Sequence, residues 1–152
     1  PYTDLPTPNI APSQAAFSIW FVIYALLFSI SLKPCAGPPS LQWLCASLGG
    51  TVLWTAAVRA RAWHTATFVL ALACACAWAA MLDPLPGLAR AAVGIYAGWL
   101  AIAAALSLAI SVPKWDHWRL LAVAATVASG LCIGMRTPWP MFSVVWALCH
   151  SV

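Results

Sequence analysis

Acidic side chains are nearly absent from this 152-residue chain, which has three aspartates and no glutamate. Asp4, Asp83 and Asp116 each fall at or beyond the end of an apolar run. No carboxylate is therefore expected at membrane depth, where ion pumps commonly keep an ionisable relay. The chain also lacks a carboxylate pair for acid–base catalysis, and it supports no Ser-His-Asp or Cys-His arrangement. We expect neither an ion pump nor an enzyme.

Charge of either sign is also scarce. Charged residues make up 7% of the chain, against roughly 25% in soluble globular domains. The net charge of +4 is scattered among the predicted loops and forms no basic face, so nucleic acid is not an expected partner. Hydrophobic residues reach 64% and the mean hydropathy is +0.91. These values predict one membrane-embedded domain over residues 1–152, with membrane lipid around it and no soluble domain.

The six cysteines do not form the pattern of a disulfide framework or of a metal site. All except Cys35 lie within apolar runs, where a free cysteine packs as a small hydrophobic side chain. Cys74 and Cys76 are two residues apart and so point to different faces of a helix, which is unsuitable for a shared metal. No metal ligand is expected.

Proline, glycine and charged residues divide the rest of the chain into apolar segments of helix length. The chain starts at Pro1 with a proline-rich arm at 1–12 and no signal-peptide pattern, so we expect that an upstream segment was removed or not included. About twenty apolar residues form one bilayer crossing. The fold prediction is an all-α, polytopic transmembrane helix bundle. Its six predicted segments are about 13–32, 41–58, 63–82, 88–112, 118–133 and 141–152.

Aromatic residues are abundant, with ten tryptophans. Phe17, Trp20 and Tyr24 have the spacing i, i+3 and i+7, which places them on one helix face, and we expect this face to point toward the other helices. Five tryptophans lie near predicted helix ends, where indoles partition to the membrane interface: Trp43, Trp63, Trp115, Trp118 and Trp139. Four lie deeper, where they either pack helices or stack on a flat ligand: Trp20, Trp54, Trp99 and Trp146.

Several short motifs occur in order along the chain. Pro12 is followed by Phe17-Ser18-Ile19-Trp20 and Ile23-Tyr24, and later segments contain Leu53-Trp54, Ile95-Tyr96-Ala97-Gly98-Trp99 and Phe142-Ser143-Val144-Val145-Trp146-Ala147-Leu148. This series resembles the tryptophan-rich sensory protein (TspO, or translocator protein) family in its longer bacterial form. In that alignment the family's first transmembrane helix precedes Pro12, so we expect that the chain lacks this helix or has lost it in processing. Two asparagines typical of the family are replaced here by Thr51 and Ser107.

The resemblance implies a TspO-like bundle that binds a flat hydrophobic ligand for transport or sensing, without catalysis. The ligand would be a porphyrin or other tetrapyrrole such as chlorophyll, a sterol or a carotenoid, bound non-covalently. The implied ligand-binding residues are Phe17, Trp20, Tyr24, Thr51, Trp54, Tyr96, Trp99 and Ser107.

A second function of a different class stays open. The alternative is a non-catalytic structural accessory subunit that reuses the scaffold within a larger membrane complex, such as a respiratory or photosynthetic supercomplex. The small-x-x-x-small motifs Gly94–Gly98 and Gly130–Gly134 allow close helix approach, and they suit a homodimer as well as packing inside one bundle.

Overall fold

The computed structural model describes residues 18–32 and 38–111, and the regular structure in these ranges is helical, without a strand. The four helices are α1 (Ile19–Ser31), α2 (Pro38–Arg59), α3 (Trp63–Ala80) and α4 (Gly87–Ser111). The all-α prediction is confirmed for these residues. The predicted segments 118–133 and 141–152, and the first part of the segment 13–32, lie outside the described residues.

Helix α2 begins earlier than the sequence predicts. Pro38 and Pro39 were expected to separate two segments, with the second starting at residue 41, yet the helix starts at Pro38. A helix leaves its first N–H groups without intrahelical partners, so a proline there loses no hydrogen bond, and its fixed φ already suits the helix. The two prolines therefore start α2 instead of preceding it.

A Schellman motif closes the connection between α2 and α3. The Ala62 N–H donates to the Ala57 carbonyl, and the Arg61 N–H donates to the Val58 carbonyl, both at 3.0 Å. This pair of bonds requires the residue after the helix cap to adopt a left-handed conformation, which is usually supplied by glycine. Here Arg61 adopts it, with φ 57°. The turn is thereby limited to residues 60–62.

Polar contacts at the helix ends show that α2, α3 and α4 run antiparallel in succession. The Ser40 hydroxyl, near the start of α2, donates to the Asp83 carboxylate just after α3 at 2.6 Å. The Ser111 hydroxyl at the end of α4 lies 3.4 Å from the carbonyl oxygen of Trp63, the first residue of α3. Asp83 thus lies beside the start of α2, where the helix dipole favours a negative charge.

Helix α3 packs between α2 and α4, and α1 packs on α4. The buried face of α3 consists mainly of alanines: Ala66, Leu70, Ala73, Ala77 and Ala80. Small side chains let neighbouring helix backbones approach closely when the surroundings supply no hydrophobic drive for association. The buried face of α1 is aliphatic: Ile19, Ile23, Leu27 and Ile30.

Three stretches are long and apolar enough to cross a membrane: Pro39–Arg59, Trp63–Ala80 and Gly87–Leu108. Their 18 to 22 residues correspond to about 27–33 Å of helix, against a bilayer hydrocarbon core of about 30 Å. Helix α1 is apolar but shorter, with 13 residues. Large apolar side chains point outward from all four helices, including Phe21, Val52, Phe68 and Leu88.

Candidate functional site

Three aromatic rings meet where α1 packs on α4, and we call Trp20, Tyr24 and Trp99 the aromatic wall. The rings of Trp20 and Tyr24 stack, with centroids 5.3 Å apart and planes 21° apart. Trp20 also meets Trp99 edge to face, at 5.9 Å and 82°. Both distances and both geometries are those that aromatic pairs prefer. The wall therefore joins two residues of α1 to the middle of α4.

The members of the aromatic wall differ in exposure. Trp99 is 3% exposed, Trp20 is partly buried and Tyr24 is 53% exposed. Tyr24 follows Trp20 by four residues, so both lie on one side of α1, next to the buried face that contains Ile19 and Ile23. The prediction that the aromatic stripe forms the inward face of α1 is therefore wrong for Tyr24. The inward positions hold isoleucine and leucine, and Tyr24 lies at the outer surface.

Tyr96 lies in a different place, in the core where α2, α3 and α4 meet. Its side chain is fully buried, and its hydroxyl lies 3.1 Å from the Ser47 hydroxyl. The Ser47 oxygen is also 2.6 Å from the Ala73 carbonyl oxygen. A hydroxyl has a single proton, so the Ser47 hydroxyl shares its proton as donor between two acceptors, the Ala73 carbonyl oxygen and the Tyr96 hydroxyl oxygen. One residue from each helix takes part in this chain of bonds.

Thr51 and Trp54 continue the Ser47 face of α2, at spacings of four and seven residues. The Thr51 hydroxyl donates to the Leu48 carbonyl at 2.7 Å, and it also neighbours the Tyr96 hydroxyl. Trp54 packs against the hydrophobic core. Its indole N–H is buried and has no acceptor among residues 18–32 and 38–111. Both residues therefore belong to the three-helix core and not to the aromatic wall.

Ser107 belongs to a third place, a group of hydroxyls between α3 and α4 that we call the hydroxyl cluster: Thr67, Ser107 and Ser111. The Thr67 oxygen lies 2.9 Å from the Ser107 hydroxyl and 2.6 Å from the Ser111 hydroxyl. Thr67 also lies 3.0 Å from the Trp63 carbonyl oxygen, four residues before it in α3. Thr67 is the only one of the three hydroxyls on α3, so it makes both hydroxyl–hydroxyl contacts of this cluster across the helix pair.

Substitution Thr67→Val should weaken the α3–α4 pair, because valine has the shape of threonine without its hydroxyl. Interhelical hydrogen bonds inside membranes contribute about 0.6 kcal/mol on average and up to about 1.7 kcal/mol, and we expect a loss of stability in this range. Thr55→Val is the matched control, since among residues 18–32 and 38–111 the Thr55 hydroxyl bonds only to the Thr51 carbonyl of its own helix. Equal unfolding free energies for the two variants in micelles would contradict the role of Thr67.

The residues predicted to bind one ligand are thus divided among three places. Trp20, Tyr24 and Trp99 form the aromatic wall. The remaining described residues lie in the three-helix core or in the hydroxyl cluster: Thr51, Trp54, Tyr96 and Ser107. Phe17 lies outside the described residues.

Sequence reasoning missed two polar residues with structural roles, Ser47 and Thr67. A usable signal was present, because each is a hydroxyl residue inside an apolar run, and in membranes such side chains hydrogen-bond across helices. Residues 18–32 and 38–111 contain no cluster of three or more His, Cys, Asp or Glu side chains.

The chemistry available at the aromatic wall is stacking and a single phenolic hydroxyl. Neither Trp20 nor Trp99 can transfer a proton in ordinary catalysis, so the wall suits binding of an apolar, planar surface. Comparison with known proteins adds no identification: no family model matches the chain, and searches of curated proteins and of solved structures found no significant match.

Proposed function

We propose that this protein is a multi-pass membrane protein that binds a flat hydrophobic ligand at the aromatic wall, for transport or sensing and without catalysis. The ligand class is a tetrapyrrole, a sterol or a carotenoid-like lipid. The observation that carries the proposal is the stack of Trp20 on Tyr24, backed edge-on by Trp99. Two of these residues come from motifs far apart in the sequence, FSIW and IYAGW, that resemble the TspO family.

Membrane insertion is supported by the three apolar stretches of spanning length and by the outward-facing apolar side chains. Phe21 is 80% exposed and Val52 is 70% exposed. Many large apolar side chains exposed in this way are costly in water but suit acyl chains. The charged residues Arg59, Arg61, Asp83 and Arg90 all lie near helix ends. This is the distribution that a bilayer selects.

A planar ligand can reach the aromatic wall from the bilayer. Trp99 is enclosed by the core, so it supports the wall from behind, whereas the half-exposed Tyr24 offers a ring face at the outer surface. An offset-stacked ring adds about 0.5–1.5 kcal/mol beyond the area that it buries. The Tyr24 hydroxyl is the polar group that could orient a carboxylate or hydroxyl on the ligand. We infer lateral entry from lipid and not a central cavity.

Substitution Tyr24→Ala should weaken ligand binding about tenfold, because it removes the exposed stacking surface; tenfold corresponds to about 1.4 kcal/mol. The full chain in phosphatidylcholine nanodiscs would be titrated with protoporphyrin IX, cholesterol and β-carotene in parallel. For the porphyrin and the carotenoid, a change in the ligand's own absorption band reports binding. This readout does not depend on tryptophan fluorescence, so it can also be used for variants such as Trp20→Ala that remove a tryptophan. For cholesterol, a competition with whichever coloured ligand binds reports the affinity.

Phe68→Ala is the matched control for Tyr24→Ala. Phe68 is also an exposed aromatic residue, at 64%, but it lies on α3 and outside the aromatic wall. We expect its ligand affinity to stay within about twofold of the original, which corresponds to about 0.4 kcal/mol. If none of the three ligands binds, or if Tyr24→Ala and Phe68→Ala bind equally well, the wall is not a ligand site. Co-elution with a larger assembly in mild detergent would then favour the accessory-subunit function.

A further inference from the structure

The α2–α3 turn combines two exposed arginines with an unusual backbone. Arg59 ends α2, and Arg61 lies two residues later within the turn; both side chains are exposed. We propose that this turn is a docking surface for the anionic headgroups of one membrane leaflet. The inference rests on the membrane insertion proposed above, and it concerns a surface separate from the aromatic wall.

The backbone of Arg61 is the first observation. Its φ of 57° lies in the left-handed region, at the position of the Schellman motif where glycine is the usual residue. A side chain there costs free energy because its Cβ crowds the following carbonyl group. An arginine at this position therefore does not stabilise the turn relative to glycine. Its guanidinium is the part of the residue that can offset the cost, through a partner outside the described helices.

The charge distribution is the second observation. Asp83, the one acidic residue among those described, lies at the far end of α3. The 18 residues of that helix separate it from Arg61 by about 27 Å, which is well beyond the screening length of about 8 Å at physiological ionic strength. Arg90 lies at the Asp83 end. The two arginines of the turn therefore have no acidic residue near them within the described part of the chain, whereas the described residues at the opposite end include one cation, Arg90, and one anion, Asp83.

The third observation is the position of the turn at the end of two membrane-spanning stretches. This position favours a lipid headgroup over a free phosphate ion as the partner of the arginines. Arg59 is the last residue of one stretch of spanning length, Arg61 follows two residues later, and Trp63 begins the next stretch. Trp63 is partly buried, and an indole at such a helix end sits at the level of the headgroups. The guanidinium groups are thus held where lipid phosphates are concentrated. Arginine binds phosphate with paired N–H donors, which adds specificity to the attraction of charge.

The test is competition between two lipids for the detergent-solubilised full chain, followed by native mass spectrometry. Phosphatidylglycerol and phosphatidylcholine with identical acyl chains would be offered at equal concentration, with and without excess inorganic phosphate. We expect the wild-type protein to prefer phosphatidylglycerol. Each arginine of the turn should contribute about fivefold to that preference, which corresponds to about 1 kcal/mol for a basic residue near a membrane surface.

Arg61→Gly is the decisive variant, because glycine suits the left-handed backbone and removes only the side chain. It should lose about fivefold of the lipid preference while unfolding no more easily than the wild type. Arg61→Lys keeps the charge and should keep most of the preference. Arg90→Gln is the control at the opposite end, where we expect a change below about twofold. Ligand binding at the aromatic wall should be the same in all of these variants.

Three results would overturn the proposal. The first is an equal lipid preference of the wild type and of the double variant Arg59→Gln/Arg61→Gly. The second is a preference that Arg90→Gln lowers as much as Arg61→Gly does. The third is displacement of the lipid by inorganic phosphate, which would make the turn an ion site and not a membrane surface. Failure of the wild type to enter nanodiscs would refute membrane insertion as well, whereas insertion without a lipid preference would refute only the docking surface.

Discussion

Substitution Tyr96→Ala is expected to destabilise the helix bundle by about 3 kcal/mol. Tyr96 is the largest of the fully buried side chains, and alanine would leave a cavity where α2, α3 and α4 meet. Truncation of a buried aromatic ring to alanine typically costs about 3–5 kcal/mol. The lower end applies in the proposed membrane setting, because lipid is as apolar as the core and the loss is then mainly one of packing. Unfolding in micelles, followed by circular dichroism, measures the change.

Two further variants serve as controls. One separates the contribution of the Tyr96 ring to stability from that of its hydroxyl, and the other measures the effect of removing a tyrosine outside the core. Tyr96→Phe keeps the ring and should cost only about 0.6 kcal/mol, the average for a hydrogen bond between membrane helices. Ser47 keeps its bond to the Ala73 carbonyl in that variant. Tyr24→Ala removes a tyrosine that is half-exposed, and it should cost at most about 1.5 kcal/mol for the lost ring pair. Equal losses for Tyr96→Ala and Tyr24→Ala would show that Tyr96 is not a core residue.

The adjacent glycines of α2 should respond in opposite directions to the same substitution. A Cβ on Gly50 would lie 2.8 Å from the Cβ of Ala73 on α3, whereas a Cβ on Gly49 would meet nothing within 4 Å. Gly50→Ala forces the two helices apart, and overpacking of this kind costs about 1–3 kcal/mol. Gly49→Ala should instead stabilise the helix by up to about 1 kcal/mol, because alanine is the better helix former.

The two glycine variants are matched, because each serves as the control for the other. Both add one methyl group to neighbouring positions of the same helix, so helix propensity changes equally and the difference reports the contact with Ala73. Unfolding free energies in micelles should differ by about 2 kcal/mol or more between the variants. A double variant Gly50→Ala/Ala73→Gly should recover most of the loss. Equal stability of the single variants would mean that α2 and α3 do not approach closely at Gly50.

Helix positions were largely predictable, and the reason is physical. Apolar runs of spanning length can satisfy their backbone polar groups only as helices in a bilayer, and prolines and charges mark where each run ends. The predicted segment 63–82 corresponds to α3 (Trp63–Ala80), and 88–112 corresponds to α4 (Gly87–Ser111). The sequence predicts the start of α2 too late, because Pro38 and Pro39 favour a break between segments although proline is also compatible with a first helical turn.

The direction in which each helix faces was not predictable in the same way. In a soluble protein the polar face identifies the exposed side, but here outward positions such as Phe21 are as apolar as the inward Ile23. The stripe containing Trp20 and Tyr24 was chosen for its aromatic spacing, and the buried side of α1 proved to be the adjacent aliphatic one. Small residues such as Ala73, which permit close packing, are the better indicator of an inward face.

The grouping of the predicted ligand-binding residues was also only partly predictable from the sequence. Trp20 and Trp99 were expected together and are in contact, whereas Tyr96 was expected beside them and instead bonds to Ser47 in the three-helix core. Trp99 and Tyr96 are three residues apart on α4, so both could have lain on one face. Their actual partners depend on which helices lie against the two sides of α4.

By itself the sequence determined three properties of the described chain. It is helical, it contains three apolar stretches of spanning length at predictable positions, and its charged residues lie at the ends of those stretches. These properties follow from local composition, because each helix satisfies its own backbone hydrogen bonds. Only the tertiary structure decided that α1 presents Ile23 inward and Tyr24 outward, that Tyr96 reaches Ser47, and that Gly50 meets Ala73. Those pairings depend on contacts between helices, and helices that are apolar on every side have no polar face in the sequence to mark which side is exposed.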